Sequence, residues 1–207
     1  MITFVSNYLL AHEKMITNRQ KEIIEAAGKI MTSSGINGLT IKNLAAEMNF
    51  TEGAIYRHFK SKEEIILTML EYLASELDER LNTVRKMESD PEQKFIGIFE
   101  SQLEFFSQRP YFTVAVFSDG LLETSEQINA AILKIMTVKM KHLLPILFSG
   151  QQKGFFTTLL TAEEILNIVI GAFRLQMFRW RALRFQADIK VGGMKTIYSL
   201  LTIIKKA

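Results

Sequence analysis

The chain contains no cysteine, only 3 histidines and only 3 prolines among its 207 residues. Without cysteine, disulfides, thiolate metal sites and cysteine nucleophiles are all excluded. The histidines lack metal-ligand spacing, and neither a P-loop nor a dinucleotide-binding glycine pattern occurs. We therefore expect no enzyme, no cofactor and no metal site, and the lack of thiols fits a cytoplasmic protein.

Strand patterns and membrane-length apolar runs are missing as well. No segment alternates apolar and polar residues between turn signals. Hydrophobic residues make up 48% and charged residues 23% of the chain, a balance typical of a globular helical protein. The sequence predicts an all-α fold of about nine helices that has no membrane partner.

A helix-turn-helix pattern occupies residues 39–62. Thr40 is a suitable N-cap for a first helix whose apolar face repeats at helical spacing through Ile41, Leu44, Ala45 and Met48. Asn49 tolerates the positive φ that such a turn needs. Thr51 is the next N-cap, so the spacing predicts two short helices joined by a tight turn.

The second helix of this pattern is predicted from Thr51 to Lys60, with Ile55 and Phe59 facing inward. Small residues at its start allow the backbone to approach a groove closely, and hydrogen-bond donors follow them. A recognition helix in the major groove of DNA needs this arrangement. The outward-facing residues are Thr51, Glu52, Gly53, Ala54, Tyr56, Arg57, His58 and Lys60.

The small positive charge of the chain is concentrated in the same region. Residues 1–62 contain eight Lys and Arg against five Asp and Glu, whereas the rest of the chain has seventeen of each sign. The net charge of +3 therefore falls beside the helix-turn-helix, as phosphate binding requires.

These residues resemble the DNA-binding signature of TetR-type transcriptional repressors. The resemblance rests on Leu39-Thr40-Ile41, Leu44-Ala45, Gly53-Ala54-Ile55-Tyr56-Arg57-His58-Phe59 and Ser61-Lys62-Glu63-Glu64-Ile65. It implies a ligand-responsive repressor that binds a pseudo-palindromic, double-stranded DNA operator as a homodimer and is released by a small hydrophobic effector. Two features depart from the family pattern: the turn Met48-Asn49-Phe50 and the acidic Glu52 at a position that often reads bases.

The candidate DNA contacts fall into two groups. Contacts to the DNA backbone and base edges are expected from Thr40, Lys42, Thr51, Tyr56, His58 and Lys62, and sequence choice from Glu52, Gly53, Ala54 and Arg57. An alternative is a small-molecule-binding helical protein that has lost DNA binding, because an acidic Glu52 would repel phosphate.

We expect four segments along the chain. Residues 1–14 are an N-terminal arm or precede the true start, since Met-Ile-Thr recurs at residues 15–17. The DNA-binding domain covers 15–62, a connector helix 63–90, and a ligand-sensing and dimerisation domain 91–207. The last helix is predicted near Met194–Lys205, and the final two helices are apolar on more than one face, which favours a homodimer.

The second domain is rich in Phe and Met at helical spacing. These side chains either fill the core or line an apolar cavity for the effector. Arg174 could bind an acidic headgroup, or be solvated or paired between subunits. The candidate ligand-binding residues are Phe95, Phe99, Phe106, Phe117, Met136, Met140, Phe173, Arg174, Met177 and Trp180, with Met136 and Met140 expected to face inward.

Overall fold

The computed structural model describes residues 16–117 and 125–206. The predicted N-terminal arm, residues 1–14, lies outside this range. Over the described residues the fold consists of nine α-helices, which confirms the predicted all-α class, and the extended pairing is one isolated bridge between Phe156 and Lys205. The helices are α1 (Asn18–Gly38), α2 (Ile41–Glu47), α3 (Glu52–Tyr56), α4 (Lys62–Lys86), α5 (Pro91–Gln108), α6 (Tyr111–Val116), α7 (Glu126–Gln152), α8 (Ala162–Ala182) and α9 (Ile189–Ile204).

The first three helices form a small unit around fully buried aliphatic side chains. α1 packs on α2, and α2 packs on α3. Ile23 and Ile24 of α1, Leu44 of α2 and Ile55 of α3 have no exposed surface. Gly35 interrupts α1 with a φ of 70°, a backbone conformation that favours glycine.

Helix α4 joins this unit to the rest of the protein. Its N-cap Ser61 accepts a hydrogen bond from the Glu64 amide (3.1 Å). Its apolar stripe is buried along the helix: Ile66, Met69, Leu70, Leu73, Leu77 and Leu81. Along its 25 residues, α4 packs against α7 and α5 as well as α1. It is therefore a shared wall of both halves of the molecule.

Helices α5, α7, α8 and α9 begin at side-chain caps, and the start of α9 differs from the sequence prediction. Asp90 caps α5, and Thr161 with Glu164 forms a capping box at the start of α8. The predicted start of the last helix near Met194 is wrong, because Asp188 caps α9 by accepting from the amides of Lys190 and Val191. Gly193 lies inside α9, where a Cβ atom would come within 2.5 Å of Leu103 Cδ2, so glycine permits close packing of α9 on α5.

Across residues 16–117 and 125–206, none of the helices combines the length and the apolar character that a membrane crossing requires.

Candidate nucleic-acid interface and internal cavity

The turn between α2 and α3 is built as the sequence predicts. Thr40 caps α2 by accepting from the Asn43 amide (3.0 Å), and Thr51 caps α3 by accepting from the Ala54 amide (3.2 Å). Asn49 adopts a φ of 53° in the turn. Each helix start is therefore fixed by its own capping side chain, which satisfies one of the backbone N–H groups that have no intrahelical partner there.

The second helix of the pattern is shorter than predicted. α3 ends at Tyr56, and residues 57–60 form a turn instead of extending the helix to Lys60. The Lys60 amide donates to the Glu64 carboxylate (2.6 Å), and Ser61 is already the N-cap of α4. Helix α3 must end before Lys60 because Ser61 is already the N-cap of the next helix.

One side of α3 is anchored in the core and the other is open. Ile55 and Phe59 are buried, which confirms that they face inward. Ala54 and His58 are partly exposed, and Tyr56 exposes 52% of its surface. The remaining predicted outward residues are exposed: Thr51, Glu52, Gly53, Arg57 and Lys60, together with Thr40 and Lys42 at the start of α2.

Lys62 has a structural partner. Its Nζ donates to the carbonyl oxygen of Ile36 (2.7 Å), in the segment of α1 that follows the interruption at Gly35. Burial lowers the pKa of the Lys62 ammonium. A phosphate contact by Lys62 would therefore have to replace or share this bond.

Helix α1 holds the helix-turn-helix from behind. The Arg19 guanidinium lies over the Phe50 ring, 5.3 Å from its centroid, and the Gln20 side chain donates to the His58 carbonyl (3.4 Å). These contacts attach α1 to both the turn and the end of the α3 region. The exposed surface of α3 is therefore presented on a braced support.

A second feature, an internal cavity, lies between α4, α5 and α7. Its volume is about 10 Å³, which is room for a single water molecule. The lining combines apolar side chains with three polar ones: Leu73, Leu77, Arg80, Gln102, Phe105, Phe106, Ile135 and Lys139. Three of these residues belong to α4, which is therefore a wall of the cavity. The same helix follows α1 to α3 along the chain, and we call residues 18–62 the reading unit.

Two of the polar cavity residues differ in how their hydrogen-bonding groups are used. Arg80 donates to the Ser101 carbonyl (2.7 Å) and lies over the Phe105 ring at 5.0 Å, so its guanidinium is held in place. Gln102 donates from Nε2 to the Ile98 carbonyl (3.3 Å). Its Oε1 is buried and has no hydrogen-bond partner in the described part of the chain.

The third polar residue, Lys139, is 8% exposed. Its Nζ lies 4.6 Å from the centroid of the Phe173 ring and 5.6 Å from that of Phe117. Burial lowers the pKa of this ammonium to about 8, and the positive charge of Arg174 acts in the same direction. Sequence reasoning missed Lys139, although it continues the buried row through Ile128, Ile132 and Ile135 at spacings of three and four.

The prediction that Met136 and Met140 face inward is wrong. They are 40% and 42% exposed, because the inward row of α7 passes through Ile135, Val138 and Lys139. Of the other candidate ligand residues, Phe106 lines the cavity, and Phe117 and Phe173 flank Lys139. Phe95, Phe99, Met177 and Trp180 are buried away from the cavity lining, and Arg174 is exposed on α8.

Two further contacts join the cavity helices to their surroundings. The Asp78 carboxylate of α4 accepts from Lys141 Nζ (2.8 Å) and lies 2.6 Å from Nε2 of the buried His142, both on α7. The Tyr111 side chain of α6 packs against Gly28 of α1, where a Cβ atom would come within 2.3 Å of Tyr111 Cδ2. The cavity region is thus linked to the reading unit through both α4 and α6.

Comparison with known proteins identifies the class of this fold. Residues 23–69 match the family described as bacterial regulatory proteins, tetR family. Three solved regulators share the fold over nearly the whole chain. The matched segment is that of a tetR-family helix-turn-helix regulator, and the fold of the whole chain agrees with it.

The structural neighbours share the fold at low identity. The fatty acid degradation regulator FadR of Bacillus halodurans has a TM-score of 0.80 at 16% identity, covering 91% of this chain and 97% of that one. The ketosteroid regulator KstR2 of Mycobacterium tuberculosis has 0.78 at 18%, covering 93% and 98%. FadR of Bacillus subtilis, solved in complex with stearoyl-CoA, has 0.76 at 18%, covering 89% and 98%.

The relatives found by sequence similarity are named as nucleoid occlusion factors. The nucleoid occlusion factor SlmA of Shewanella pealeana is 27% identical over 130 residues, which cover 63% of this chain and 66% of that protein. The SlmA of Photobacterium profundum is 26% identical over 117 residues, covering 56% and 60%. The chain therefore spans less than two thirds of the length of these relatives.

Proposed function

We propose that the protein is a transcriptional repressor that binds a double-stranded, pseudo-palindromic operator as a homodimer and is released by a small, largely apolar effector. The observation that carries this proposal is the two-sided construction of α3. Ile55 and Phe59 anchor one side, and the opposite side is an exposed polar surface between two capped helix starts. Such a rigid, short, convex element suits the major groove.

The exposed residues divide by chemistry. Thr40, Lys42, Thr51, Tyr56, His58 and Lys62 are proposed to contact the DNA backbone and base edges. Arg57 is the residue best able to grip a guanine edge with two hydrogen bonds. Glu52, Gly53 and Ala54 complete the surface that selects the sequence, with Gly53 allowing close backbone approach.

The homodimer is proposed to form through α8 and α9, which pack against each other. Each helix exposes apolar side chains seven residues apart, Ile168 and Leu175 on α8 and Val191 and Tyr198 on α9. Residues seven apart share one helix face, so two copies could bury these faces in a four-helix arrangement. The two α3 helices would then read half-sites about 34–36 Å apart, or a small multiple of that distance.

Coupling between effector and DNA is proposed to run through α4. A ligand larger than one water cannot enter the 10 Å³ cavity without moving a wall, and Leu73, Leu77 and Arg80 of α4 form one wall. Because α4 begins three residues after the buried Phe59, its displacement would move α3. The effector must favour the displaced state for release to follow. The stearoyl-CoA bound to Bacillus subtilis FadR supports a largely apolar effector.

The proposal is tested by fluorescence anisotropy with duplex DNA from upstream of the protein's own gene, titrated over a range of salt concentrations. Arg57→Ala should cost about 1–3 kcal/mol of binding free energy and relax the sequence preference. Lys42→Ala should weaken binding to all sequences and reduce the salt slope by about one.

A matched control is Lys153→Ala. Lys153 is an exposed lysine at the C-terminal end of α7, opposite to the end of this helix that approaches the reading unit. It should leave both affinity and salt slope unchanged. If the wild-type protein binds neither this DNA nor genomic fragments, the alternative of a ligand-binding protein that has lost DNA binding is favoured instead.

A further inference from the structure

The cavity contains a positive charge that no acidic group in the described part of the chain neutralises. Lys139 Nζ lies against two aromatic rings, and among residues 16–117 and 125–206 it has neither an ion pair nor a hydrogen bond. The other cation of the lining, Arg80, is bonded to the Ser101 carbonyl. Of the two cations that line the cavity, Arg80 therefore has a hydrogen-bond acceptor and Lys139 has none among the described residues.

An ammonium in this position is costly to the fold. Removing a charge from water is unfavourable unless a counter-ion or hydrogen bonds replace the lost solvation, and contact with aromatic faces replaces only part of it. The neighbouring positions of the same helix face are occupied by Ile132 and Ile135. An apolar residue in place of Lys139 would continue this row without that cost.

We infer that Lys139 binds the anionic headgroup of the effector, which is therefore an amphipathic acid. The assignment deepens the proposed function, and rests on it only for the consequence that ligand binding releases DNA. The aliphatic or aromatic body of the acid would lie among the apolar lining residues, Leu73, Leu77, Phe105, Phe106 and Ile135.

A second polar group of the cavity also lacks a partner. Gln102 lines the same cavity, and its buried Oε1 has no hydrogen-bond partner within the described residues. Oε1 is an acceptor, so it needs a donor, which a water molecule or a ligand hydroxyl supplies and a carboxylate does not. Lys139 alone therefore carries the assignment of the headgroup.

The charge also provides discrimination between ligands. A neutral alcohol of the same length would offer the ammonium only a neutral acceptor in exchange for its contacts with the Phe173 and Phe117 rings. A carboxylate would exchange those ring contacts for a charge-assisted hydrogen bond. The acid should consequently bind more tightly than its neutral analogue, by a ratio that depends on Lys139.

The test uses isothermal titration calorimetry on the full chain with octanoic, dodecanoic and hexadecanoic acids and the alcohols of matching length. For wild type we expect at least one acid to bind about tenfold or more tightly than its alcohol. In Lys139→Met this preference should fall to about one, while Lys139→Arg should retain most of it. Circular dichroism confirms that each variant is folded.

Three results would overturn the inference: equal binding of acid and alcohol to wild type, a preference for acid that survives in Lys139→Met, or no binding of any member of the series. The second result would move the headgroup site to another cation, such as Arg181. DNA anisotropy without ligand is measured on the same samples. Intact DNA binding with no acid preference refutes this inference alone, whereas absent DNA binding refutes the proposed function.

Discussion

The reading unit and the cavity differ in whether their polar side chains have hydrogen-bond partners within the protein. In the reading unit, Thr40 and Thr51 each accept a backbone amide, and even the Lys62 ammonium has the Ile36 carbonyl as its partner. In the cavity, Gln102 Oε1 has no hydrogen-bond partner among the described residues, and the Lys139 ammonium contacts two aromatic rings there instead of an acceptor or a counter-ion. The named polar groups of the reading unit thus have hydrogen-bond partners within the described part of the chain, and those of the cavity do not.

This difference separates a rigid support from the proposed ligand-binding site. Satisfied caps and a buried underside make α3 rigid, so its outward side chains are free to meet an external surface. Unpaired polar groups in an interior are stable only if the rest of the fold compensates for them, and such groups are concentrated at sites where a ligand completes the bonding. The predictions below act on one region at a time.

The largest effect is expected from Phe59→Ala. Phe59 is 2% exposed and lies in the core beneath the reading surface. Its truncation should lower the free energy of unfolding by about 3–5 kcal/mol and abolish DNA binding. Urea unfolding at fixed protein concentration measures the loss.

The matched variant is Tyr56→Ala, which removes an aromatic ring three positions earlier whose surface is half exposed. It should weaken DNA binding while changing stability by less than about 0.5 kcal/mol. Equal stability losses in the two variants would contradict the two-sided description of α3.

Lys139→Met should act in the opposite direction on stability. Since burial lowers the pKa of Lys139 from 10.5 to about 8, the folded state bears a cost of about 3 kcal/mol at neutral pH, which the substitution removes. The variant should therefore unfold at a higher urea concentration than wild type, although it loses the proposed preference for acids.

The sign of the pH dependence follows from the same pKa. Between about 8 and 10.5 the unfolded chain binds more protons at this lysine than the folded chain does, so wild-type stability should rise with pH across that window. Arg80 and Arg174 are the other cations near Lys139. The advantage of Lys139→Met should be largest below pH 8, and a constant difference from pH 7 to 10.5 would count against a buried ammonium.

A smaller effect is expected from Asp78→Asn, which breaks the link between α4 and α7. Burial raises the pKa of Asp78, but hydrogen bonds from Lys141 and His142 outweigh it, so the pKa lies below its ordinary value. The substitution deprives buried His142 of its charged acceptor and should cost about 1–3 kcal/mol at neutral pH.

This difference should persist down to the ordinary carboxyl pKa of 3.8 and disappear as pH falls through the lower folded value, because wild type then loses the same charge. Glu79→Gln, one position along α4 and exposed, is the control and should leave stability nearly unchanged. Urea titrations of the three proteins at several pH values separate these outcomes.

The smallest change in stability is expected from Gly53→Ala. The nearest atom to an added Cβ is Thr51 Oγ1 at 3.9 Å, so the fold accommodates a methyl group there. Alanine should stabilise α3 by about 0.5–1 kcal/mol, yet reduce DNA affinity because the methyl group lies on the reading surface. A thermal melt and an anisotropy titration give the two values, and unchanged DNA affinity would remove Gly53 from that surface.

The sequence predicted the reading unit better than the cavity, for a physical reason. Thr40, Asn49 and Thr51 act within four residues of their own positions, so local rules suffice for the caps and the turn. The end of α3 was misplaced because Lys60 is bonded to Glu64 of the following helix. That interaction depends on where α4 begins, which helical periodicity alone does not specify.

The cavity depends on which face of α7 meets α4 and α5. Hydropathy favoured Met136 and Met140 as inward residues and did not single out Lys139, whereas packing buries the lysine and exposes both methionines. A residue that breaks a sequence rule, such as a lysine in an apolar row, is expected at a functional site, where it is kept at a cost to stability. The spacing of Lys139 from Ile132 and Ile135 was the available signal.

The central claim is that occupation of the cavity is transmitted through α4 to the position of α3. Because the chain has no cysteine, Glu47→Cys at the exposed end of α2 gives one spin-label site per subunit. Double electron–electron resonance on the dimer measures the distance between the two labels with and without an acid that calorimetry has shown to saturate the protein. We expect the acid to move the main distance away from the one measured on operator DNA. Identical distance distributions with and without saturating acid would contradict the claim.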